Sequence, residues 1–347
     1  LLKAGGWAVT SASGVLAIRV LNLVLALANL ALILVSMRLI FPDRPRRQIL
    51  GLIFGASLPM NLYLYQYPTN EILAATLAAA AVYCTLRIIR ADRSRWTDYL
   101  LLGLALGAGM LAKVSVVLLL PPVGIVIAVK LFSDKMPGRW RRGALCVSLL
   151  SMVIVSVCGW HYYRTWAHFG SPVVSNSNPK VASPWWQSPG YRTVHDYLRF
   201  GESLDSPWFS HWYSVWDGLF STCWGDAQVS GMSAVDKGPA WSYPWIAAGY
   251  LLALAPTLCI LLGVVVAVGG FLRSPTLLWA FLLTLAFIVM FFLGYFTLTA
   301  PYLSAVKAFY GLPGMVPLCA LAALGFDLLA GANRWRQAAV LMFFGIW

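Results

Sequence analysis

The chain consists of long apolar runs that are separated by short clusters of basic residues. A run of ~20 mostly apolar residues is the length of one helix across a hydrocarbon core, where lipid offers no partner to an unpaired backbone amide. Only 11% of the residues are charged and 60% are hydrophobic, whereas about a quarter of the residues in soluble domains are charged. These values exclude a soluble globular domain and indicate an all-α, multi-pass membrane protein.

The apolar runs predict about nine to ten transmembrane helices. The predicted spans are 14–41, 49–65, 70–89, 98–112, 114–132, 144–162, 245–271, 275–298 and 308–330, with a tenth that begins at Gln337. This pattern divides the chain into N-terminal transmembrane helices at 1–162, one large loop at 163–244 and C-terminal transmembrane helices at 245–347.

Basic residues fall unequally on the two sides of this topology. Sixteen Lys and Arg crowd into five short stretches on one side, while nine lie on the other, five of them spread over the long loop. Short loops rich in Lys and Arg are retained in the cytoplasm. We therefore expect a plasma (inner) membrane protein whose large loop is extracytoplasmic. Because the basic clusters form no continuous stripe, the net charge of +13 does not indicate a nucleic-acid partner.

The large loop is rich in tryptophan, a residue that prefers the headgroup layer of a bilayer. Its tryptophans are Trp166, Trp185, Trp186, Trp208, Trp212, Trp216, Trp224 and Trp241. We expect much of the loop to lie on the membrane surface, with a short helix near 193–200. Aromatic faces beside polar groups suit sugar rings, which makes His195, Arg199, Glu202 and Asp217 candidates for substrate binding. The alternative is a loop that folds on its own aromatic residues.

Asn70 and Glu71 precede an Ala-rich helix at the outer end of a predicted span. One interpretation is capping, with Thr69 or Asn70 as the N-cap and Glu71 favoured by the positive end of the helix dipole. The other is a functional site, because an acidic residue at the bilayer edge is costly.

Lys113 and Lys307 occupy comparable places at outer membrane edges, the second of them shortly before Tyr310. Each lysine could simply extend to the headgroups. Two cations that face an aromatic-rich loop also suit an anionic lipid headgroup.

These segments resemble, in order and in membrane side, the GT-C superfamily of membrane glycosyltransferases, which includes protein O-mannosyltransferases and the aminoarabinose transferases that modify lipid A. The matching segments are IRVLN at 18–22, PTNE at 68–71, the stretch 95–107 leading to AKVS at 112–115, and KAFYGLP at 307–313.

The resemblance implies transfer of a sugar from a polyprenyl phosphate to an extracytoplasmic acceptor, which is a glycan, a lipid or a protein. It matches Glu71 to an acidic position of an outer loop, and Lys113 and Lys307 to basic positions that face the lipid phosphate. The principal catalytic aspartate of the family has no counterpart here. We expect the chain to be incomplete, with that carboxylate in an outer loop upstream of Leu1.

The main alternative is a lipid or glycan transporter without covalent chemistry, which also requires a polytopic bundle. No cofactor is required by these residues. The four histidines lack the close pairing of a helix-borne zinc site, and a divalent metal is left open.

Overall fold

A computed structural model describes residues 11–67, 69–92, 95–133, 138–174, 190–227, 242–300 and 302–346. Within these residues every regular element is helical, which confirms the prediction of an all-α protein. Trp185, Trp186 and Trp241, named above, lie outside the described residues, as does Pro68.

The helices of the N-terminal half precede the large loop. They are α1 (Ala12–Ile40), α2 (Pro45–Ser57), α3 (Pro59–Gln66), α4 (Glu71–Arg90), α5 (Trp96–Ala112), α6 (Leu120–Ser133), α7 (Arg139–Ile154) and α8 (Trp160–Phe169), with a 3-10 helix at Val114–Leu119 and a π-helical turn at Val155–Gly159.

The loop and the C-terminal half carry shorter and then longer helices. They are α9 (Val194–Leu198), α10 (Glu202–Asp205), α11 (Val215–Trp224), α12 (Tyr243–Arg273), α13 (Leu277–Thr299), α14 (Met315–Ala330) and α15 (Arg334–Ile346), with 3-10 helices at Ser210–Trp212, Leu303–Ala305 and Ala308–Gly314. The short surface helix predicted near 193–200 is α9, which begins after Thr193.

Seven described helical segments are long and apolar enough to cross a bilayer, and an eighth results if α2 and α3, bent by 46°, are counted as one span. The bend lies at Leu58, just before Pro59, whose ring cannot continue the hydrogen-bond ladder of the preceding turn. Helix α5 is apolar but shorter. The polytopic architecture is therefore confirmed, while the count of nine to ten spans stays a prediction.

Two segments form the centre of the bundle. The most apolar stretch of Ala308–Ala330 is 78% buried and that of α4 is 67% buried, whereas only 11% of the corresponding stretch of Arg139–Phe169 is buried. Small residues make this possible in α4, where the alanines from Ala74 to Ala81 let neighbouring backbones approach closely. The N-terminal ends of both central segments carry the charged residues singled out by the sequence.

Helices α12 and α14 pack backbone against backbone through two glycines. A Cβ atom added at Gly263 would lie 1.8 Å from the carbonyl oxygen of Leu321, and one added at Gly325 would lie 1.8 Å from that of Cys259. Neither carbonyl can move without displacing a helix. The crossing therefore requires glycine at both positions.

We expect Gly325→Ala to lower the free energy of unfolding by about 1–3 kcal/mol or more, because the added methyl group overpacks the crossing. Gly269→Ala on α12 is the matched control, since nothing lies within 4 Å of a Cβ added there. Thermal unfolding in detergent measures both variants. Equal stability of Gly325→Ala and the control would contradict the close crossing.

Candidate functional site

Three chain segments meet at one end of the bundle and bring the predicted charged residues together. Glu71 begins α4, Lys113 lies in extended backbone between α5 and the following 3-10 helix, and Lys307 lies in extended backbone before the 3-10 helix Ala308–Gly314. Extended backbone at both lysines interrupts the helices, so each lysine lies at a helix end and is not part of a helix surface.

Glu71 and Lys113 form a largely buried ion pair. The Lys113 ammonium donates to Glu71 Oε1, and the side chains are 10% and 16% exposed respectively. Asn70 is the N-cap residue but makes no capping hydrogen bond with its side chain, whereas Thr69 Oγ1 accepts a hydrogen bond from the Glu71 amide at 3.2 Å. The side-chain amide of Asn70 donates a hydrogen bond to the Ala112 carbonyl at 2.6 Å and so joins the start of α4 to the end of α5. The Glu71 carboxylate thus binds a side chain that lies 42 residues away in the sequence, that of Lys113.

The two lysines share an aromatic pair. The Lys113 Nζ lies 4.4 Å from the ring centroid of Tyr310 and 5.7 Å from that of Phe309, and the Lys307 Nζ lies 5.7 Å from the same Phe309 ring. Such distances are within the range of cation–π attraction. We call Glu71, Lys113, Lys307, Phe309 and Tyr310 the edge cluster.

The edge cluster holds two cations and one carboxylate. Among the described residues, Lys307 has no ion-pair partner. Burial lowers the pKa of Lys307, and the neighbouring Lys113 cation lowers it further, while Glu71 acts in the opposite direction. A bound anion would stabilise the charged form of such a partly buried cation, which has no carboxylate beside it.

A second group of predicted residues lies in the loop. Arg199 pairs with Glu202 at 2.6 Å and with Asp196 at 3.4 Å. His195 and Glu202 are exposed. The structure therefore places Arg199 and Glu202 together but apart from the ion pair of the edge cluster, and their contact with a substrate stays a prediction.

Asp217 organises the loop from inside. Its carboxylate is fully buried and accepts hydrogen bonds from the Gly201 and Ser203 amides and from the hydroxyls of Ser203 and Ser214, at 2.7–3.0 Å. Burial alone would raise the pKa of Asp217, but these hydrogen bonds outweigh it and lower the pKa. Direct contact of Asp217 with a substrate stays a prediction.

Some residues of the region carry no signal that sequence reasoning used. Phe309 is one, although its place between Lys307 and Tyr310 could have marked it. A cavity of about 400 Å³ lies beside Asn70 and Lys113 and is also lined by His161 and Thr165. Within the part of the chain that the structure describes, no three His, Cys, Asp or Glu residues are grouped to hold a metal ion.

Comparison with known proteins bears on this arrangement. Residues 3–161 match the family model described as dolichyl-phosphate-mannose-protein mannosyltransferase, and a search of curated proteins finds no match. ArnT from Cupriavidus metallidurans bound to undecaprenyl phosphate is 15% identical with a TM-score of 0.51, and its apo state is 14% identical with a TM-score of 0.50.

These alignments cover 95% and 93% of this chain but 49% and 47% of the ArnT chains, so the chain spans about half the length of the structures it matches. The fold is shared over nearly the whole chain. The predicted resemblance to GT-C membrane glycosyltransferases is confirmed.

We expect Glu71→Gln to lower the free energy of unfolding by about 3 kcal/mol, because Lys113 is left as a buried charge without its carboxylate. The double variant Glu71→Gln/Lys113→Met removes both charges and should be more stable than the single variant. Chemical unfolding in mild detergent measures the difference. A loss of about 1 kcal/mol in Glu71→Gln, without recovery in the double variant, would contradict the ion pair and indicate that Glu71 acts only at the helix N-terminus.

Proposed function

We propose that this chain, which has the GT-C fold, is a membrane glycosyltransferase that takes its sugar from a polyprenyl-phosphate donor. The observation that carries the proposal is the edge cluster, in which two lysines and one glutamate surround an aromatic pair at the end of two buried spans. The fold and the family match over 3–161 support it, and one of the ArnT structures contains undecaprenyl phosphate.

The edge cluster supplies the charges that the transfer requires. The acceptor hydroxyl oxygen bonds to the anomeric carbon while the bond from that carbon to the phosphate oxygen breaks. The electron pair leaves with the polyprenyl phosphate, where Lys307 and Lys113 stabilise the negative charge. A carboxylate near the acceptor takes the hydroxyl proton, and Glu71 is our candidate for that base.

The division of the chain fits the same proposal. The predicted division places transmembrane helices at 1–162 and 245–347, and we expect the loop at 163–244 to lie on the extracytoplasmic side of the inner membrane. The uneven distribution of basic residues supports this orientation. The exposed loop residues His195 and Glu202, with Arg199, are candidates for contact with a glycan, lipid or protein acceptor.

The test uses the purified full-length protein, a radiolabelled polyprenyl-phosphate sugar and a native membrane extract as the source of acceptor. We expect label to become covalently attached to extract material. Lys307→Gln should weaken donor binding about tenfold, while Lys307→Arg retains part of it because the charge is kept and the geometry changes.

Lys130→Gln is the matched control, since Lys130 bonds the Ala91 carbonyl near the other end of the bundle. Donor that binds and crosses a reconstituted bilayer without any covalent transfer would support the transporter alternative. Unchanged donor binding in the Gln variants of both Lys113 and Lys307 would remove the edge cluster from the donor site.

A further inference from the structure

Lys307 lies in a segment with little regular structure of its own. The backbone is extended at Tyr302, turns through the short 3-10 helix Leu303–Ala305 and is extended again at Val306 and Lys307. Such a segment has few internal hydrogen bonds to fix its position. Contacts from the large loop fix it at three points, at residues on both sides of Lys307.

The first contact is a hydrogen bond from the residue after Lys307. The Ala308 amide donates to Thr222 Oγ1 at 2.8 Å, and the Thr222 hydroxyl donates to the Gly218 carbonyl at 2.6 Å. Thr222 is fully buried in α11. Its hydroxyl thus joins the loop helix to the start of the 3-10 helix that carries Phe309 and Tyr310.

The second contact is steric and involves the residue before Lys307. Val306 is 1% exposed and packs against α11 at Gly218, where an added Cβ would lie 2.7 Å from Val306 Cγ1 and 3.1 Å from the His211 carbonyl oxygen. Gly218 therefore leaves space for Val306. A larger residue at 218 would push Val306, and Lys307 with it, away from the loop.

The third contact is made by Arg192, which lies earlier in the loop. Its guanidinium donates to the Leu303 carbonyl at 2.7 Å, to the Tyr213 carbonyl at 2.6 Å and to the His211 carbonyl at 3.0 Å. One side chain thus ties the Lys307 segment to the part of the loop that leads into α11. A guanidinium has enough donors in a fixed plane to join three carbonyls, which a lysine cannot do in the same geometry.

His211 shows how close the loop comes to Lys307. Its Nδ1 lies 2.9 Å from the Ala227 carbonyl oxygen, which can only accept, so Nδ1 carries the proton. Burial lowers the pKa of His211 to about 4, and the Lys307 and Arg192 cations lower it too. The ring is neutral at pH 7, so His211 itself adds no positive charge beside Lys307.

We propose that Arg192, Gly218 and Thr222 are positioning residues that fix Lys307 over the Phe309 ring, so that the large loop controls the anion site of the edge cluster. We call these three residues the loop clasp. Because loop contacts fix the residues on either side of Lys307, they also fix the position of its backbone. The side chain extends from there toward Lys113. The link to donor binding rests on the proposed function, whereas the positioning of Lys307 does not.

The position of Lys307 is measured by competitive labelling of the purified protein with acetic anhydride, with Lys130 as the internal reference and mass spectrometry as the readout. We expect Gly218→Ala to raise the labelling rate of Lys307 at least about threefold, because Val306 is displaced and the segment opens locally. The double variant Gly218→Ala/Val306→Ala removes the shortest contact, that with Val306 Cγ1, while the Cβ of residue 306 at 3.0 Å and the His211 carbonyl oxygen at 3.1 Å remain. It should therefore bring the rate part of the way back to that of the native protein.

Gly190→Ala is the control within the same loop, since nothing lies within 4 Å of a Cβ added there. It should leave the labelling of Lys307 unchanged. Native labelling of Lys307 in Gly218→Ala would overturn the inference, as would an increase that Val306→Ala does not reduce, because that pattern indicates general loosening of the loop.

A second pair of variants tests the hydrogen bond. Thr222→Val removes the acceptor of the Ala308 amide with little change in shape, and Thr222→Ser keeps it. We expect faster Lys307 labelling and weaker polyprenyl monophosphate binding in Thr222→Val, and native values in Thr222→Ser. Faster labelling with unchanged lipid binding would support the clasp and contradict the donor site. Native labelling in Thr222→Val would contradict the clasp itself.

Discussion

The ion pair between Glu71 and Lys113 is the interaction on which one end of the bundle depends. A charge at the bilayer edge loses much of its hydration, so it is stable there only with a partner of opposite sign and further polar contacts. The pair joins the start of one buried span to the turn after α5. Tyr310 adds its ring to the same ammonium. The charge pair therefore joins two segments distant in sequence, and the ring of Tyr310 brings a third segment against it.

Charge balance at this place has a functional consequence. Lys113 is compensated by Glu71, whereas Lys307 has no ion-pair partner among the residues that the structure describes and lies beside the Phe309 ring. The edge cluster therefore keeps an excess of one positive charge close to the membrane.

The sequence predicts the features that depend on the free-energy cost of moving a group out of water. Apolar runs predict helices, because lipid cannot pair backbone amides, and Glu71, Lys113 and Lys307 are visible because charges at span ends are expensive. The contact of Thr222 with Ala308 is not predictable in this way, since it joins residues that are 86 positions apart. Neither residue is of a type that is unexpected in its segment of the sequence. The need for glycine at position 218 is not predictable either, because it follows from the contact with Val306, which is distant in the sequence.

The central claim is that the edge cluster binds the phosphate of a polyprenyl lipid, and a structure of the purified protein with polyprenyl monophosphate tests it most directly. We expect a phosphate oxygen about 2.7–2.9 Å from the Lys307 Nζ, the usual length of a charge-assisted hydrogen bond, with the Glu71–Lys113 pair beside it. Lipid phosphate bound elsewhere, with Lys307 still over Phe309 and in contact with no anion, would contradict it.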